Sequence, residues 1–565
     1  MGTVIQYTQD GKAARTQRWE RTQRVERLDV YRDLQAQGIS QRQAAKVLGV
    51  PRTTLQAWRV WQDSLDACPR VVAFFESSPG LAFLPRLVMA LHVVFVEMGA
   101  CGIRLVCRFL EMTALNRFVG ASYGTQQQVN RHVEEAIVAY QQEETARLAH
   151  GMPPQEITVT QEETFTGGLC LVALEPVSNY ILLEQVAEAR DHDTWHAGMA
   201  GALAPLKCTV SQSTSDEAPG LLAYVAQHLG AHHSPALFHV QQELSKAVSA
   251  PMAAKQRAAA KAMMKAEATR TRRQGQLPTN SDEPVKRGPG RPLKVAASLE
   301  PAEGEVEAAR HEHHRLVAQR ETVRNSLRAI GHAYHFVDLE RGVRRNGRLI
   351  ARDIHTHIAT IRSLAQQAGL SQVCLERIEK AARVVPKMQA TVEFVSGYVR
   401  QQVTHLALTP PQSCAMHARL IPSYYLDRVA ATRPKREGTP LHELATRLRS
   451  PLFAPGGAFG ELHPLEQGWL QQKAAKLAEV LQRSSSTVEG RNGYLSLRTH
   501  QLRGLDHPRK RACLTAVHNF CLTRPDGTTA AERFFGQKPR AMFTAILTSV
   551  AIPPPPLSPP RRAIG

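Results

Sequence analysis

Apolar positions at helical spacing begin at Val25 and continue through Leu28, Tyr31 and Leu34, until Gly38 interrupts them. Ser40 is placed to cap a second helix, 41–48, whose inner face carries Ala44, Ala45 and Leu48. Gly49 turns the chain, and Pro51 opens a third helix bearing Leu55 and Trp58. Segment 25–65 therefore predicts three short helices behind a basic flexible arm at 1–24. Residues 66–153 are more apolar and again helical in period. At Pro154 the period changes to two. Residues 157–163 read as a strand ending in acids, Gly167-Gly168 as a turn into strand 169–174, and 180–184 as a third strand. A helix at 193–203, a strand at 208–211, a helix at 221–229 and a strand at 236–239 give 154–245 an α/β character.

The chain then turns basic at 246–300, with an Ala/Lys/Arg-rich helix to Arg273 followed by a Pro/Gly/Ser linker. Helical period returns over 301–480. Leu349, Ile350, Ile354, Ile358, Ile361 and Leu364 make one stripe, and Val392, Val395, Val399 and Val403 another. A Pro/Gly-rich stretch, 434–460, leads towards a last amphipathic segment, 481–550, and a Pro-rich tail, 551–565. The predicted fold class is an α/β core interrupted by an all-α insertion, with an all-α N-terminal region.

Charge narrows the partners. Across 565 residues, 70 Lys+Arg stand against 50 Asp+Glu, a net +20, which favours a polyanion such as nucleic acid. A membrane is disfavoured, because the most apolar stretch, 81–101, is broken by Pro85, Arg86, His92 and Glu97. The N-terminus lacks the apolar core of a signal peptide, and nine cysteines without a C-x-x-C pair suit a reducing compartment. A cytoplasmic, nucleoid-associated bacterial protein is expected. The string 39–59 looks like a helix-turn-helix in which Arg52, Thr53, Thr54, Gln56 and Arg59 face a DNA major groove; a plain three-helix packing unit is the alternative. Residues 102–132 are open between a second such unit and a packing or dimerisation layer, with Arg104 and Arg108 as phosphate contacts or a solvated face. Around Gly290-Arg291-Pro292, the letters resemble an AT-hook, with Arg287 and Arg291 entering a narrow minor groove; a basic tether reads the same.

Glu489 stands alone among hydroxyl residues, with Arg491, Asn492 and Arg498 after it. An acid opening a basic amphipathic helix suits the last ligand of a metal-dependent phosphoryl-transfer site. Downstream come His518-Asn519-Phe520 and Arg524-Pro-Asp through Arg533-Phe-Phe; upstream, Asp216 lies just past the fourth strand and Glu162-Glu163 end the first. Over about 158–242 and 483–535 the chain resembles DDE-type insertion-sequence transposases.

That resemblance implies a ribonuclease-H-like core and a Mg²⁺ (or Mn²⁺) pair about 3.5–4 Å apart. Asp216 bridges the ions, while Glu162 or Glu163 and Glu489 hold one each. It further implies that Arg491 and Asn492 position a phosphate. Glu163, His239, Gln241 and Arg190 are candidates to line the site, with a packed core role as the alternative for the last three. The partners implied are double-stranded DNA, both the element's terminal inverted repeats and the target, bound by a homodimer or higher oligomer. The first acid of that family is ordinarily Asp. A Glu displaces the carboxylate by roughly an ångström, a shift that can cost about a hundredfold in rate. A catalytically inactive, transposase-derived DNA-binding protein is therefore the alternative. Other motifs are weaker: His311-Glu-His-His314 lacks the second histidine of a zinc H-E-x-x-H, and no G-x-x-x-x-G-K-[ST] phosphate loop occurs.

Overall fold

The computed structural model describes residues 3–7, 13–17, 19, 21–60, 69–275, 296–501, 505 and 507–553. An antiparallel pair, β1 (Thr3–Tyr7) and β2 (Ala13–Gln17), stands where a flexible arm was expected. Helices α1 (Arg21–Ala36), α2 (Gln41–Val47) and α3 (Arg52–Val60) follow. Their turns have the anticipated chemistry. Ser40 accepts the Gln43 N–H, the Gln43 side chain returns to the Ser40 N–H, and Gly49 takes a positive φ of 64°. Leu28, Tyr31, Ala44, Leu55 and Trp58 close a small core of their own.

Residues 69–151 form α4 (Pro69–Glu76), α5 (Ser78–Leu91, extended by a π-helical turn to Met98), α6 (Ile103–Met112) and α7 (Tyr123–Gly151). They are not a separate body. Val88, Val106, Val133 and Ile137 share one core with Ile157 and Val159 of the sheet and with Val517, Phe520 and Phe534 near the C-terminal end. Ser78–Met98 is long and apolar enough to cross a membrane, yet Leu84, Val88, Val93 and Val96 are buried in that core. Its buried polar residues, His92 and Glu97, both hydrogen bond Asn130 of α7. Arg104 lies over the Tyr123 ring and Arg108 is 3.7 Å from Glu111, on the exposed side of a packing layer.

The sheet comprises β3 (Gln155–Phe165), β4 (Leu169–Glu175), β5 (Tyr180–Val186), β6 (Cys208–Ser215) and β7 (His232–Pro235), in the order β5-β4-β3-β6-β7. β4 runs antiparallel to both neighbours, whereas β6 and β7 run parallel to β3. Between β5 and β6 lies α8 (His192–Leu203); between β6 and β7 lies α9 (Pro219–Tyr224, extended by a π-helical turn to Leu229). The last strand sits four residues earlier than expected. Leu237, Val240, Leu244 and Val248 recur at three and four, so α10 (Leu237–Gln274) begins at once and takes His239 into its first turn. It runs unbroken through the boundary placed at 245.

α10 packs along α11 (Ala296–Ala333), and α12 (Gly347–Gln367), α13 (Gln372–Ala382), α14 (Val385–Thr404), α15 (Pro410–Ala415), α16 (Ile421–Ala431), α17 (Lys435–Phe453) and α18 (Pro464–Glu479) complete a bundle. Both apolar stripes lie in its core, as Ile350 to Ile361 and Val392 to Val403, except that Leu349 is exposed at the start of α12. Most of the Pro/Gly-rich stretch is the helix α17, which contains Pro440 and Pro451. The chain returns through α19 (Ser486–Gln501), α20 (Pro508–Phe520), α21 (Ala530–Phe535) and α22 (Met542–Ser549). α8 and α9 cover one face of the sheet, with Trp195, Met199 and Leu221 against Leu171, Ala173 and Leu183. α19 covers the other, where Val488 and Leu495 meet Cys170, Val172 and Leu174. The mixed sheet clad in helices is thus an α/β core, interrupted by helices as anticipated.

Candidate functional site

Successive side chains of a strand point to opposite faces. On β3 this sends Glu162 towards α19 and Glu163 towards α8. Glu163 accordingly accepts from Trp195 Nε1 at 3.4 Å and lies 3.5 Å from Arg190. Glu162 is buried, and His239 Nε2 stands 3.1 Å from its Oε1 and 3.6 Å from Glu489 Oε1. The donor atoms of Glu162, His239 and Glu489 all lie within 4.8 Å of one another. Asn492, one turn beyond Glu489, donates its Nδ2 to Glu162 Oε2 at 3.1 Å.

Three contacts bring these distant elements into register. The Thr160 and Thr487 hydroxyls meet at 3.2 Å, joining β3 to the first turn of α19. The Leu237 N–H donates to Arg483 O at 2.8 Å, tying the start of α10 to the approach of α19. Gln212 of β6 donates to Gln482 O at 3.2 Å.

The charges in this group are crowded. Burial, and then the Glu162 carboxylate beside it, raise the pKa of Glu489. Burial opposes charging His239, but its hydrogen bond to Glu162 and the charges of Glu162, Asp216 and Glu489 together raise its pKa above the usual value. His239 therefore tends to be an imidazolium that offsets part of the negative charge. The Oδ1 of Asn492 is buried beside the acids with no hydrogen-bond partner. Two close carboxylates and an orphaned amide oxygen are hard oxygen donors that could hold a divalent cation such as Mg²⁺ or Mn²⁺, while the protonated His239 ring offsets charge and offers no lone pair at Nε2.

Asp216 stands at the rim. The β3–β6 register ends at Thr160 opposite Thr214, and two residues further along would bring Asp216 beside Glu162. Its carboxylate is exposed, accepts the Ala218 N–H at 3.1 Å, and is felt electrostatically by Glu489 and His239. It does not belong to the three-residue donor group.

Other expected site residues have different roles. Arg491 is buried and forms a two-pronged ion pair with Glu184 of β5, at 2.6 and 3.0 Å, so its charge is spent inside the protein rather than on a phosphate. Gln241 faces α11 and donates to Leu327 O at 3.2 Å. Arg498 donates to the carbonyls of Glu97 and Met98. His518 meets Asn179 O, Asn519 bonds both backbone groups of Ile181, and Arg533 meets Ser178 O; all three brace β5. In the N-terminal unit Arg52, Thr53 and Gln56 are exposed, Thr54 is half-buried, and half-buried Arg59 lies 5.4 Å over the Tyr31 ring. Arg287 and Arg291 lie outside the described residues.

A family of unknown function, DUF6399, matches residues 416–562, a segment that holds α19 and Glu489 but not Glu162 or His239. No curated protein matches the chain.

Proposed function

We propose that this protein cleaves and joins DNA strands as a DDE-type transposase, on a ribonuclease-H-like core carried to its element ends by the helix-turn-helix unit. The observation that supports this most is the meeting of Glu162 and Glu489, far apart in sequence, beside His239 and next to the strand that leads to Asp216. The mixed sheet with β3 at its centre and the net charge of +20 agree with it. Glu162, Asp216 and Glu489 would hold Mg²⁺ or Mn²⁺, which activates an attacking oxygen and stabilises a leaving one in an in-line displacement at phosphorus. Asn492 orients Glu162 through its amide N–H, and His239 holds a proton on Nε2 against both acids.

The test uses purified full-length protein and duplexes carrying the element ends. Metal-dependent nicking or joining is expected, and Asp216→Asn or Glu489→Gln should abolish it. Variants that keep metal-dependent activity would show the acids to be misassigned. A second reading, a non-catalytic DNA-binding protein, draws on the exposed Asp216 carboxylate and on a first acid already engaged by His239. It predicts salt-sensitive duplex binding without turnover in either ion.

A further inference from the structure

A second polar site lies in the helical insertion. The turn between α11 and α12 is closed by an antiparallel bridge between Val337 and Arg344. Asp338 Oδ1 accepts the N–H groups of Glu340 and Arg341, at 3.0 and 2.9 Å. Gly342 takes a φ of 71°, a conformation that side chains rarely adopt, and a Cβ there would push the tip of Leu448 aside. This rigid turn and the start of α12 line a cavity of about 410 Å³, whose charged groups are Arg341, Arg344, Arg345, Arg352, Asp338 and Asp353.

The charges do not balance. Asp353 pairs with Arg345 and lies 3.4 Å from Arg352. Asp338 is engaged by its own turn. Arg344 is half-buried, and its Nη1 lies 3.2 Å from His417 Nδ1. Burial, with Arg344 and Arg400 nearby, holds that imidazole below its usual pKa and so neutral. Burial and Arg400 also lower the pKa of Arg344 itself. A half-buried guanidinium that meets a neutral ring and feels the charge of a second arginine is costly unless an anion joins it.

We propose that this cavity binds a phosphate group between the guanidinium forks of Arg344 and Arg341. Planar guanidinium groups match phosphate oxygens two at a time, and the volume is in the range of small-ligand pockets. The phosphate can come from a soluble compound such as pyrophosphate or a nucleotide, or from a DNA backbone. The second source rests on the function proposed above and has a geometric basis. Lys387, at the start of α14, pairs at 2.5 Å with Glu217, the neighbour of Asp216. Arg400 lies 13 residues further along the same helix, about 20 Å away, or roughly six base steps of a duplex.

The experiment titrates full-length protein with pyrophosphate and ATP by calorimetry, and with a short duplex by fluorescence anisotropy over a salt series. Arg344→Gln and the exposed Arg341→Gln should each weaken one class of probe by about tenfold. Loss confined to pyrophosphate and ATP assigns a soluble ligand. Loss for the duplex, with its salt slope reduced by about one, assigns a backbone phosphate. Unchanged binding of every probe in both variants, or no binding by the native protein, overturns the proposal. Asp216→Asn serves as control, since it removes the proposed cleavage without touching this cavity.

Discussion

Among the described residues, two groups of side chains have the nominal makings of a metal site, and they differ in what surrounds them. Glu162, His239 and Glu489 form one; His192, Asp193 and His228 form the other. The second is local: two of its members are adjacent at the start of α8, His192 Nδ1 is 3.2 Å from Asp193 Oδ1, and the His228 ring stacks on His196 at 4.2 Å. Asp193 is 80% exposed, so water screens its charge, whereas Glu162 is 5% exposed and faces a second carboxylate. Count and distance of ligand atoms are similar. What separates the groups is charge brought together out of water and held there by α10 and α19. That is a condition a bound cation relieves, and the exposed trio lacks it.

The largest effect is expected where α19 is anchored. Arg491→Ala leaves Glu184 buried without its partner, which costs about 3–5 kcal/mol in a buried pair, read from urea denaturation. A loss below about 1 kcal/mol would mean that the acid helix is held by packing alone.

Glu97 probes the same principle from the other end of α19, where Arg498 holds its carbonyl. Burial first, and the Glu134 charge second, raise its pKa to about 7. The folded form thus binds this proton more tightly than the unfolded chain. Its contribution to stability is complete below about pH 4.5 and is lost as pH rises through about 7. Glu97→Gln should therefore raise stability above pH 7 by up to about 3 kcal/mol and change little near pH 4.5. Equal effects at both ends, in thermal melts across that range, would refute the assignment.

Much of the architecture was legible because it depends on local pattern. The Ser40 cap, the stripes of the insertion and the strands from 155 to 186 follow from periods of 3.6 and two. The acids at 162, 216 and 489 are singled out by the resemblance rather than by local pattern, and Glu162 lies inside β3 rather than at its end. The choice between Glu162 and Glu163 was not legible, because a one-residue change of phase exchanges the faces of β3 and only the packed sheet fixes which face meets α19. Arg491 was misread for a related reason. Its partner, Glu184, lies on β5, and nothing near position 491 signals that an acid comes within 2.6 Å. His239 was recognised as a possible lining residue, but on a strand. Its position in the donor group follows from α10 starting early, which the spacing of Leu237, Val240 and Leu244 does signal.

Metal affinity tests the comparison directly. Glu162→Gln should weaken Mn²⁺ binding by about a hundredfold, and Asn492→Ala, which frees Glu162 from its amide donor, by about tenfold or more. Both are read by electron paramagnetic resonance of free Mn²⁺. Asp193→Asn should leave that titration unchanged; if it instead removes the binding, the exposed trio is the better site and burial is the wrong criterion.

The smallest effect is expected at His228. Its ring is exposed and stacked on another exposed imidazole, so truncation removes little buried surface and no buried charge. His228→Ala should change stability by no more than about 0.5 kcal/mol at pH 7. His239→Ala removes a half-buried ring that faces two acids and whose pKa they raise, and should cost measurably more unless Mn²⁺ is present to offset the acids instead. The ratio of the two losses, measured with and without Mn²⁺, is sensitive to little else. A ratio that stays the same in both conditions would mean that Glu162 and Glu489 do not share a cation, and that the crowding of charge in the core has a purely structural origin.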